Sequence, residues 1–421
     1  MTLQTLKGFR DFLPKEAKKR QYVIDTLRKV FTSYGFEPLE TPALEYEEIL
    51  MGKYGEEGDK LMYRFVDNGG RKVAMRYDQT VPLARVVAQY GSASSPQGQP
   101  LLPFPFKRYQ IQPVWRAENT QKGRSREFLQ CDIDTVGPSS PDGSNMADAE
   151  IIAVVNAGYQ ALGFTDFKIL INDRSVFAGL TANAIATIDK LSKIGPEKVR
   201  EELKQKGFSE NLLDEILEKK ETDSLMQITS LAKRLGVNEG KIVFEPTLAR
   251  GLDYYTSMIL EVDVAGYTGG SVGGGGRYDN LIGMFLPAGK QDGKKSIPAV
   301  GFSFGFERII EAMEEQNLFP KTLDEATTKV LVTIFNPQLT VNSLDLTLAL
   351  RSAEVQTEIY LDENAKMEKQ LKYADQKGIP FVIIIGPEEK EKNMVTLKNM
   401  KTREQKEMTI EEVIQELQNK L

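Results

Sequence analysis

The 421-residue chain contains no histidine, and this absence removes several kinds of site at once. Ser-His-Asp triads, Cys-His pairs and metals held by imidazole are all excluded. Cys131 is the only cysteine, so a disulfide within the chain and a cysteine-rich zinc site are excluded as well. Any catalysis must depend on carboxylates, Lys, Tyr, Arg, backbone dipoles or an oxygen-held cation such as Mg²⁺.

Long apolar runs are also missing. No stretch approaches about 18 consecutive apolar residues, so we expect no membrane span. The first residues, MTLQTLKGFRDFLPKEAKKR, lack the basic and then apolar regions of a secretory signal, which favours a cytoplasmic location. The net charge of −6 means that any nucleic-acid binding must use local basic patches.

The pattern of the chain predicts three segments. Residues 175–240 are rich in Lys and Glu and nearly free of strand patterns, which predicts an inserted helical subdomain. On either side, residues 1–174 and 241–322 carry the strand patterns of one further domain. From 328 to 421, strands alternate with helices, which predicts a separate α/β domain with a largely parallel sheet.

The stretch VWRAENTQKGRSREFLQCDIDT places a basic loop between two strand-like runs. A solvated hairpin tip is the ordinary interpretation of such a loop. Gln130, Asp132 and Asp134 alternate along the return strand, however, so they point to one face of a sheet. With Arg116 across the hairpin, that face could hold a phosphate and an ammonium group together.

Two other stretches carry charged residues in unusual places. In LARGLDYYTSMILEV, Tyr254 and Tyr255 are ordinary strand residues, whereas Arg250 is flanked by apolar residues and needs an anionic partner. In RYDQTVPLAR, Asp78 precedes a predicted helix. It is either an N-cap or a carboxylate that holds a substrate amine.

The glycine run TGGSVGGGGRYD, at 268–279, has several possible interpretations: a phosphate loop, a linker or a close-approach segment. It lacks the G-x-x-x-x-G-K-[ST] pattern of a P-loop, and strand-like LEVDV precedes it, which argues against a linker. We expect its backbone to pass close to a bound amino acid, since glycine has no Cβ, and Tyr278 to close the pocket.

Taken together, these stretches resemble a known family. FKRYQIQPVWRAENTQKGRSREFLQCDID and VGFSFGFERI resemble motifs 2 and 3 of the class II aminoacyl-tRNA synthetases, and GFEPLETPALEY is similar to motif 1, the dimer-interface element. ARGLDYYTS and GGSVGGGGRYDNL resemble signature segments of the histidyl-tRNA synthetases. QKGIPFVIIIG lies in a region similar to the anticodon-binding domain of this group.

The resemblance implies an α+β fold: a class II catalytic domain on an antiparallel sheet with a helical insertion, plus a C-terminal α/β anticodon-binding domain. It also implies a homodimer. The implied activity is that of a histidine–tRNA ligase, which joins histidine to ATP as histidyl-adenylate, releases pyrophosphate, and transfers histidine to the 3′ end of tRNA. ATP with Mg²⁺ is then a substrate, and no protein-held metal and no zinc are expected.

The resemblance further implies a role for each matching residue. ATP is bound by Arg116, Glu118, Arg124, Phe128 and Arg308. Histidine is bound by Asp78, Thr80, Gln130, Asp134, Arg250, Tyr254, Tyr255 and Tyr278. Arg250 and Arg116 are catalytic, and Gln121 and Arg126 approach the acceptor end of the tRNA. Asp78 and Asp134 stand where some members of the family carry Glu.

Other functions remain as alternatives. A non-catalytic, synthetase-like regulatory subunit of ATP phosphoribosyltransferase would have eroded motifs and typically no anticodon domain, whereas Arg116, Arg250 and Arg308 are present here. A glycyl or threonyl enzyme is a second alternative, although the threonyl enzyme needs Cys and His zinc ligands that this chain lacks. The missing histidines have two explanations, compositional chance or selection for a protein that can be made when histidyl-tRNA is scarce.

Overall fold

The computed structural model describes residues 3–91, 102–120, 123–137, 141–209, 211–250, 254–286 and 296–420. The chain divides into two units, Met1–Phe319 and Pro320–Leu421. Within the described ranges, no helix is both long enough and apolar enough to cross a membrane. The three-segment division from the sequence stays a prediction.

The strands of the first unit are β1 (Glu37–Pro38), β2 (Leu44–Tyr46), β3 (Arg64–Val66), β4 (Lys72–Met75), β5 (Phe106–Trp115), β6 (Glu127–Val136), β7 (Phe167–Asp173), β8 (Ile242–Phe244), β9 (Met258–Val264), β10 (Gly273–Arg277) and β11 (Ala299–Phe304). Its helices are α1 (Pro14–Ser33), α2 (Glu47–Leu50), α3 (Gly55–Lys60), α4 (Thr80–Tyr90), α5 (Pro141–Ala161), α6 (Ala182–Ile188), α7 (Leu191–Ile194), α8 (Pro196–Gln205), α9 (Leu212–Leu217), α10 (Asp223–Arg234) and α11 (Phe306–Glu315).

An eight-stranded sheet in the order β1-β5-β6-β11-β10-β9-β7-β8 forms the frame of this unit. Neighbouring strands run antiparallel except at the two edges, where β1 pairs with β5 and β8 pairs with β7 in parallel. This confirms the expected antiparallel catalytic sheet. The alternating runs on either side of DNGG, at 67–70, predict a hairpin, and this is confirmed, since β3 and β4 pair antiparallel in a second, three-stranded sheet with β2.

The two faces of the large sheet differ because side chains alternate along each strand. On one face, apolar residues pack beneath helices α1, α5 and α11; examples are Cys131 and Ile133 of β6 and Phe302 and Phe304 of β11. The intervening residues of the same strands, such as Asp132 and Asp134, point to the other face and are polar.

Helix α1 shows how the sequence produces this packing. Val23, Leu27 and Phe31 recur every four residues and are fully buried. Pro14 opens the helix, where its missing N–H costs nothing. Gly35, at φ 76°, follows the last turn and lets the chain leave the helix in a left-handed conformation.

The helices α6 to α10 lie in the segment predicted to be helical, and residues 182–234 contain no strand in the part that is described. Many of its apolar residues form a separate cluster that includes Val199, Leu203, Leu213 and Ile216. Helix α10 instead packs against α5 of the main core.

The second unit has its own sheet and its own cores. Its strands are β12 (Val330–Val332), β13 (Thr357–Ile359), β14 (Phe381–Ile384), β15 (Val395–Asn399) and β16 (Gln405–Met408), and its helices are α12 (Thr340–Ser352), α13 (Met367–Lys377), α14 (Pro387–Glu391) and α15 (Ile410–Lys420). The order is β13-β12-β14-β15-β16. Only β13, β12 and β14 are parallel; β15 and β16 run antiparallel to their neighbours. The expectation of a largely parallel sheet is therefore half right, because short connections around β15 force the antiparallel pairings.

Candidate active site

The polar face of the large sheet is arranged in rows across the strands. One row joins Gln110, Asp132 and Ser303, and continues through Gly274 to Glu261 on β9. A second row joins Arg108, Asp134, Gly301 and Gly276. Strand register thus brings together residues that are far apart in the chain.

A cavity of about 1630 Å³ opens over this face. The site residues expected from the sequence that line it are Asp78, Thr80, Arg116, Glu118, Arg124, Phe128, Gln130, Asp134, Arg250, Tyr254, Tyr255, Tyr278 and Arg308. Residues from five separate stretches of the sequence therefore meet at one place.

Asp78 holds the start of α4 and also faces the cavity. Its Oδ1 atom accepts a hydrogen bond from the Val81 backbone N–H at 3.1 Å, which holds the start of α4, and another from the Tyr54 hydroxyl at 2.7 Å. Its Oδ2 atom is buried and has no partner in the described part of the chain. One carboxylate oxygen is structural, and the other is available to a ligand.

Gln130 and Asp132 lie beside Asp78 on the cavity wall. The Gln130 amide nitrogen is 3.4 Å from Ser303 Oγ and 3.5 Å from Asp132 Oδ2. Gln130 Oε1 and Asp132 Oδ1 have no partner within the described ranges. Three acceptors with spare capacity therefore surround this part of the cavity, as a bound ammonium group requires.

Asp134 occupies the next position on the same strand. The Tyr278 hydroxyl donates to its Oδ1 atom, and Arg108 Nη2 lies 2.7 Å from its Oδ2 atom. Tyr254 packs against both Tyr255 and Tyr278, with ring centroids 5.0 and 6.0 Å apart. The result is an aromatic pocket with a carboxylate at its wall.

Burial changes the titration of these carboxylates. It raises the pKa of Asp132 to about 6 and that of Asp134 to about 7, although the nearby Arg108 guanidinium lowers both. Burial likewise raises the pKa of Asp78, while the Tyr54 hydroxyl and the Val81 N–H lower it. All three groups therefore ionise less readily than ordinary aspartates.

Arg250 lies over the glycine strand β10. A Cβ atom at Gly274 would be 1.9 Å from Arg250 Nη1, so the guanidinium can take this place only because the residue is glycine. Nη1 donates to Glu261 Oε1 at 2.6 Å, which is the anionic partner that the sequence required. Burial alone would lower the pKa of Arg250, but Tyr255 and Glu261 hold it above its ordinary value, so the group is a permanent cation.

Three further arginines surround the other part of the cavity. Arg116 donates through Nε to the Tyr77 carbonyl at 2.9 Å, and its Cζ atom lies 5.2 Å from the centre of the Phe128 ring. Arg308 donates through Nη1 to the Ser271 carbonyl at 2.7 Å. Arg124 Nη1 is 3.4 Å from Glu118 Oε2. These cations, together with an aromatic ring, can bind a nucleotide with several phosphates.

Of the two residues expected at the tRNA acceptor end, only Arg126 can be placed, and it is not part of the cavity wall. Gln121 lies outside the described residues. Arg126 is at the base of the loop, where its Nε donates to the Glu118 carbonyl at 3.1 Å and its backbone N–H donates to the Gly8 carbonyl at 2.9 Å.

Comparisons with known proteins match most of the chain to two sequence families. Residues 8–215 and 209–309 match the sequence model of the histidyl-tRNA synthetases, and residues 329–420 match that of an anticodon-binding domain. The chain belongs to the histidyl-tRNA synthetase family.

Relatives and solved structures cover almost all of the chain. It is 39% identical to the histidine–tRNA ligase of Cytophaga hutchinsonii, over 98% of both chains, and 40% identical to that of Gloeobacter violaceus, over 97% of both. A crystal structure of the histidyl-tRNA synthetase from Nostoc sp. PCC 7120 superimposes with a TM-score of 0.81, with full coverage of both chains and 29% identity. The class II synthetase fold predicted from the motifs is confirmed.

The sequence did not reveal every residue of this site. Glu261 was missed because its pairing with Arg250 depends on the register of β9 and β10. Arg108 was missed because its partner Asp134 is on the next strand. A signal was present, since Arg108, Gln110 and Gln112 alternate along β5 and face the same side as the acids of β6.

Proposed function

We propose that this cavity is where the chain, as a histidine–tRNA ligase, first joins histidine to ATP and then passes histidine to tRNA. The observation that carries the proposal is that four arginines and three acceptor-rich carboxyl or amide side chains share one cavity in a member of this family. The cations suit the phosphates of ATP, and the acceptors suit the ammonium and imidazole groups of histidine.

Histidine is held at both of its polar ends. Asp78, Thr80 and Gln130 bind the α-ammonium group, for which Asp78 Oδ2 and Gln130 Oε1 have spare acceptor capacity. Asp134 and Tyr255 bind the imidazole, with Tyr254 and Tyr278 packed around it. A competing amino acid without two ring nitrogens would leave these buried groups unpaired, which can discriminate by roughly 10⁴-fold or more.

The first step needs no general base. The histidine carboxylate is already ionised at neutral pH and attacks the α-phosphorus of ATP. A bond from carboxylate oxygen to phosphorus forms, and the bond from phosphorus to the pyrophosphate oxygen breaks. What the protein supplies is alignment and positive charge, from Arg116 and Arg250 at the α-phosphate.

ATP is bound on the arginine-rich side of the cavity. Phe128 stacks on adenine, Arg124 and Arg308 hold the outer phosphates, and Glu118 lies next to Arg124. Class II synthetases use ATP, usually with Mg²⁺, which enters as part of the substrate because this ion prefers phosphate oxygens and retained waters to an all-protein cage.

In the second step, a terminal ribose hydroxyl of tRNA attacks the adenylate, and AMP leaves. Gln121 and Arg126 guide the acceptor end, and the unit that matches an anticodon-binding domain holds the other end of the tRNA.

Two further proposals concern the oligomeric state of the protein and its location in the cell. The protein is a homodimer through the segment that contains β1 and β2, where Leu44 and Tyr46 are exposed, and it works in the cytoplasm, where tRNA is charged.

The test is pyrophosphate exchange into ATP, run separately with each of the twenty amino acids. We expect exchange with histidine alone. A parallel preparation of Arg250→Ala should be inactive, which excludes a contaminating synthetase. Exchange with glycine or threonine and none with histidine would overturn the assignment of histidine as the substrate. No exchange with any amino acid would instead favour the non-catalytic regulatory subunit.

A further inference from the structure

Arg108 lies behind the wall of the cavity. It is on β5, opposite Asp134 in the register with β6, and is fully buried. Its Nη2 atom is 2.7 Å from Asp134 Oδ2 and 3.5 Å from the Gln79 carbonyl oxygen. Arg108 is not among the residues that line the cavity, so it can influence a ligand only through another side chain.

Stability alone is a weak reason for an arginine at this place. Its Nε and Nη1 atoms make no hydrogen bond within the described ranges. A buried guanidinium with unused donors is costly, and a buried ion pair adds little compared with well-packed apolar side chains. The cation therefore calls for a functional explanation.

Asp134 has acceptor capacity left after its known contacts. The Tyr278 hydroxyl donates to Oδ1, and Arg108 lies against Oδ2. A Cβ atom at Gly301 would be 2.0 Å from Oδ1, so glycine at this position gives the carboxylate its space. An ionised carboxylate has about four acceptor positions, whereas a protonated one would itself present a donor.

The charge of Asp134 depends on its neighbours. The titratable and charged groups that face it come from β5, β6, the segment before α4, the segment before β9 and the end of β10; they are Arg108, Asp132, Asp78, Tyr255 and Tyr278. Burial, Asp132 and Asp78 raise the pKa of Asp134, and Arg108 is the cation that lowers it. Removing Arg108 would raise the pKa of Asp134 further, so a smaller fraction of this carboxylate would be ionised at neutral pH.

We propose that Arg108 is a positioning residue for histidine selectivity: it favours the charged form of Asp134 and holds the carboxylate turned so that its remaining lone pairs accept the imidazole N–H. This rests on the proposed function, in which Asp134 binds the imidazole. Selectivity then depends on a residue that never touches the substrate.

The test compares KM for histidine and KM for ATP in pyrophosphate exchange, from pH 6 to 9, for wild type, Arg108→Met and Arg108→Lys. At pH 7 we expect Arg108→Met to raise KM for histidine roughly ten- to hundredfold, the effect of weakening a hydrogen bond to a charged group. KM for ATP should not change. The ratio of variant to wild-type KM should shrink as pH rises, because Asp134 then ionises without help. Arg108→Lys keeps the charge, so its KM for histidine should lie between those of wild type and Arg108→Met.

Two further variants separate the possible outcomes. Asp134→Asn should show the opposite trend. Its KM for histidine, divided by that of wild type, should grow with pH, because wild type gains an ionised carboxylate that Asn lacks. Arg85→Met removes a cation from another partly buried pair, with Glu45 at 2.6 Å, away from the cavity wall. It controls for loss of stability and should leave KM for histidine unchanged.

An unchanged KM for histidine in Asp134→Asn would overturn the role of Asp134 in the proposed function. If Asp134→Asn behaves as expected but the Arg108→Met ratio does not vary with pH, or KM for ATP rises in parallel, Arg108 is not a positioning residue. Because substrate imidazole titrates identically in every assay, the ratios report on the protein. If Arg108→Met does not fold, the Arg108→Lys profile decides: a KM ratio for histidine equal to one across the pH range would overturn the proposal.

Discussion

At the scale of single residues, the site depends as much on missing side chains as on present ones. Gly274 and Gly301 stand where a Cβ would meet Arg250 Nη1 and Asp134 Oδ1 at 1.9 and 2.0 Å. Each glycine therefore gives space to one charged group of the cavity.

The first prediction concerns Gly274→Ala. The added methyl group must displace the Arg250 guanidinium, and a shift of about 1 Å in a catalytic group can cost roughly 10²-fold in rate. We expect kcat for histidine-dependent pyrophosphate exchange to fall by about that factor, with KM for ATP less affected. Gly69→Ala is the matched control, because its Cβ would meet only the ends of flexible side chains, at 3.3 Å or more. Equal activity of the two variants would contradict the close-approach explanation of this strand.

The second prediction follows from the raised pKa of Asp132, about 6 against about 3.9 in an unfolded chain. Between these values the folded protein binds more protons than the unfolded chain, so stability falls as pH rises and levels off above pH 6. Between pH 5 and 7, we expect the free energy of unfolding of wild type to fall by on the order of 1 kcal/mol because of this group. The free energy of unfolding of Asp132→Asn should fall correspondingly less, as measured by urea unfolding at both pH values. Parallel losses in the two proteins would contradict the raised pKa.

Sequence reasoning was strongest at the residue scale where a pattern is local. The alternation of Gln130, Asp132 and Asp134 correctly placed three polar groups on one face, since a strand has a period of two. The partner of Arg250 could not be identified in this way. It is on a strand that meets the glycine run only through the sheet register, which the order of residues does not specify.

At the scale of elements, Glu307 connects the parts of the site. It is the second residue of α11, beside Arg308. Arg20 of α1 donates to it through two nitrogens, at 2.7 and 2.9 Å, and the Leu129 backbone N–H on β6 lies 3.4 Å from its Oε1. One carboxylate thus fixes the arginine of α11 relative to the strand that carries Phe128.

The third prediction is that Glu307→Gln raises KM for ATP while KM for histidine changes little, because Arg308 and Phe128 are both on the nucleotide side. Thermal unfolding should show a loss of roughly 1.5–3 kcal/mol, since Arg20 loses its charged partner. Glu314→Gln on the same helix removes an exposed pair with Lys19 at 2.8 Å, and such pairs contribute about 0.2–1 kcal/mol. A Glu307→Gln protein with wild-type KM for ATP would show that this connection is only structural.

Element types can be predicted where the pattern is long and regular, as in the helical spacing of Val23, Leu27 and Phe31 in α1 and the alternation along the β5–β6 hairpin. They were predicted less well where the chain is short or glycine-rich. The segment YDNLIGMF after the glycine run has the pattern of a helix but forms only a short 3-10 helix, Ile282–Phe285, and the part of the run from Gly273 to Arg277 is a strand. Glycine disfavours strands, so β10 exists because β9 and β11 bond to it on both sides.

At the scale of the whole molecule, each unit has its own hydrophobic cores, and the cavity lies entirely in the first. The fourth prediction is that residues 1–319 alone keep histidine-dependent pyrophosphate exchange. Charging of tRNA should fall by a factor of roughly 10² or more, because binding energy from the remote end of the substrate is lost. Circular dichroism of the fragment checks that it is folded. Equal loss of both activities would show that the cavity depends on the second unit.

The strand of four glycines has a consequence for how the molecule can be observed. Its amide hydrogens have no side chain to shield them, so any slow exchange with deuterium must come from the bonds to β9 and β11. Gly273, Gly274 and Gly275 line the cavity, and Gly274 lies next to the Arg250 guanidinium. Deuterium exchange at Gly273, Gly274 and Gly275 would therefore report occupancy of the site from the backbone itself, with no reporter group attached to the protein.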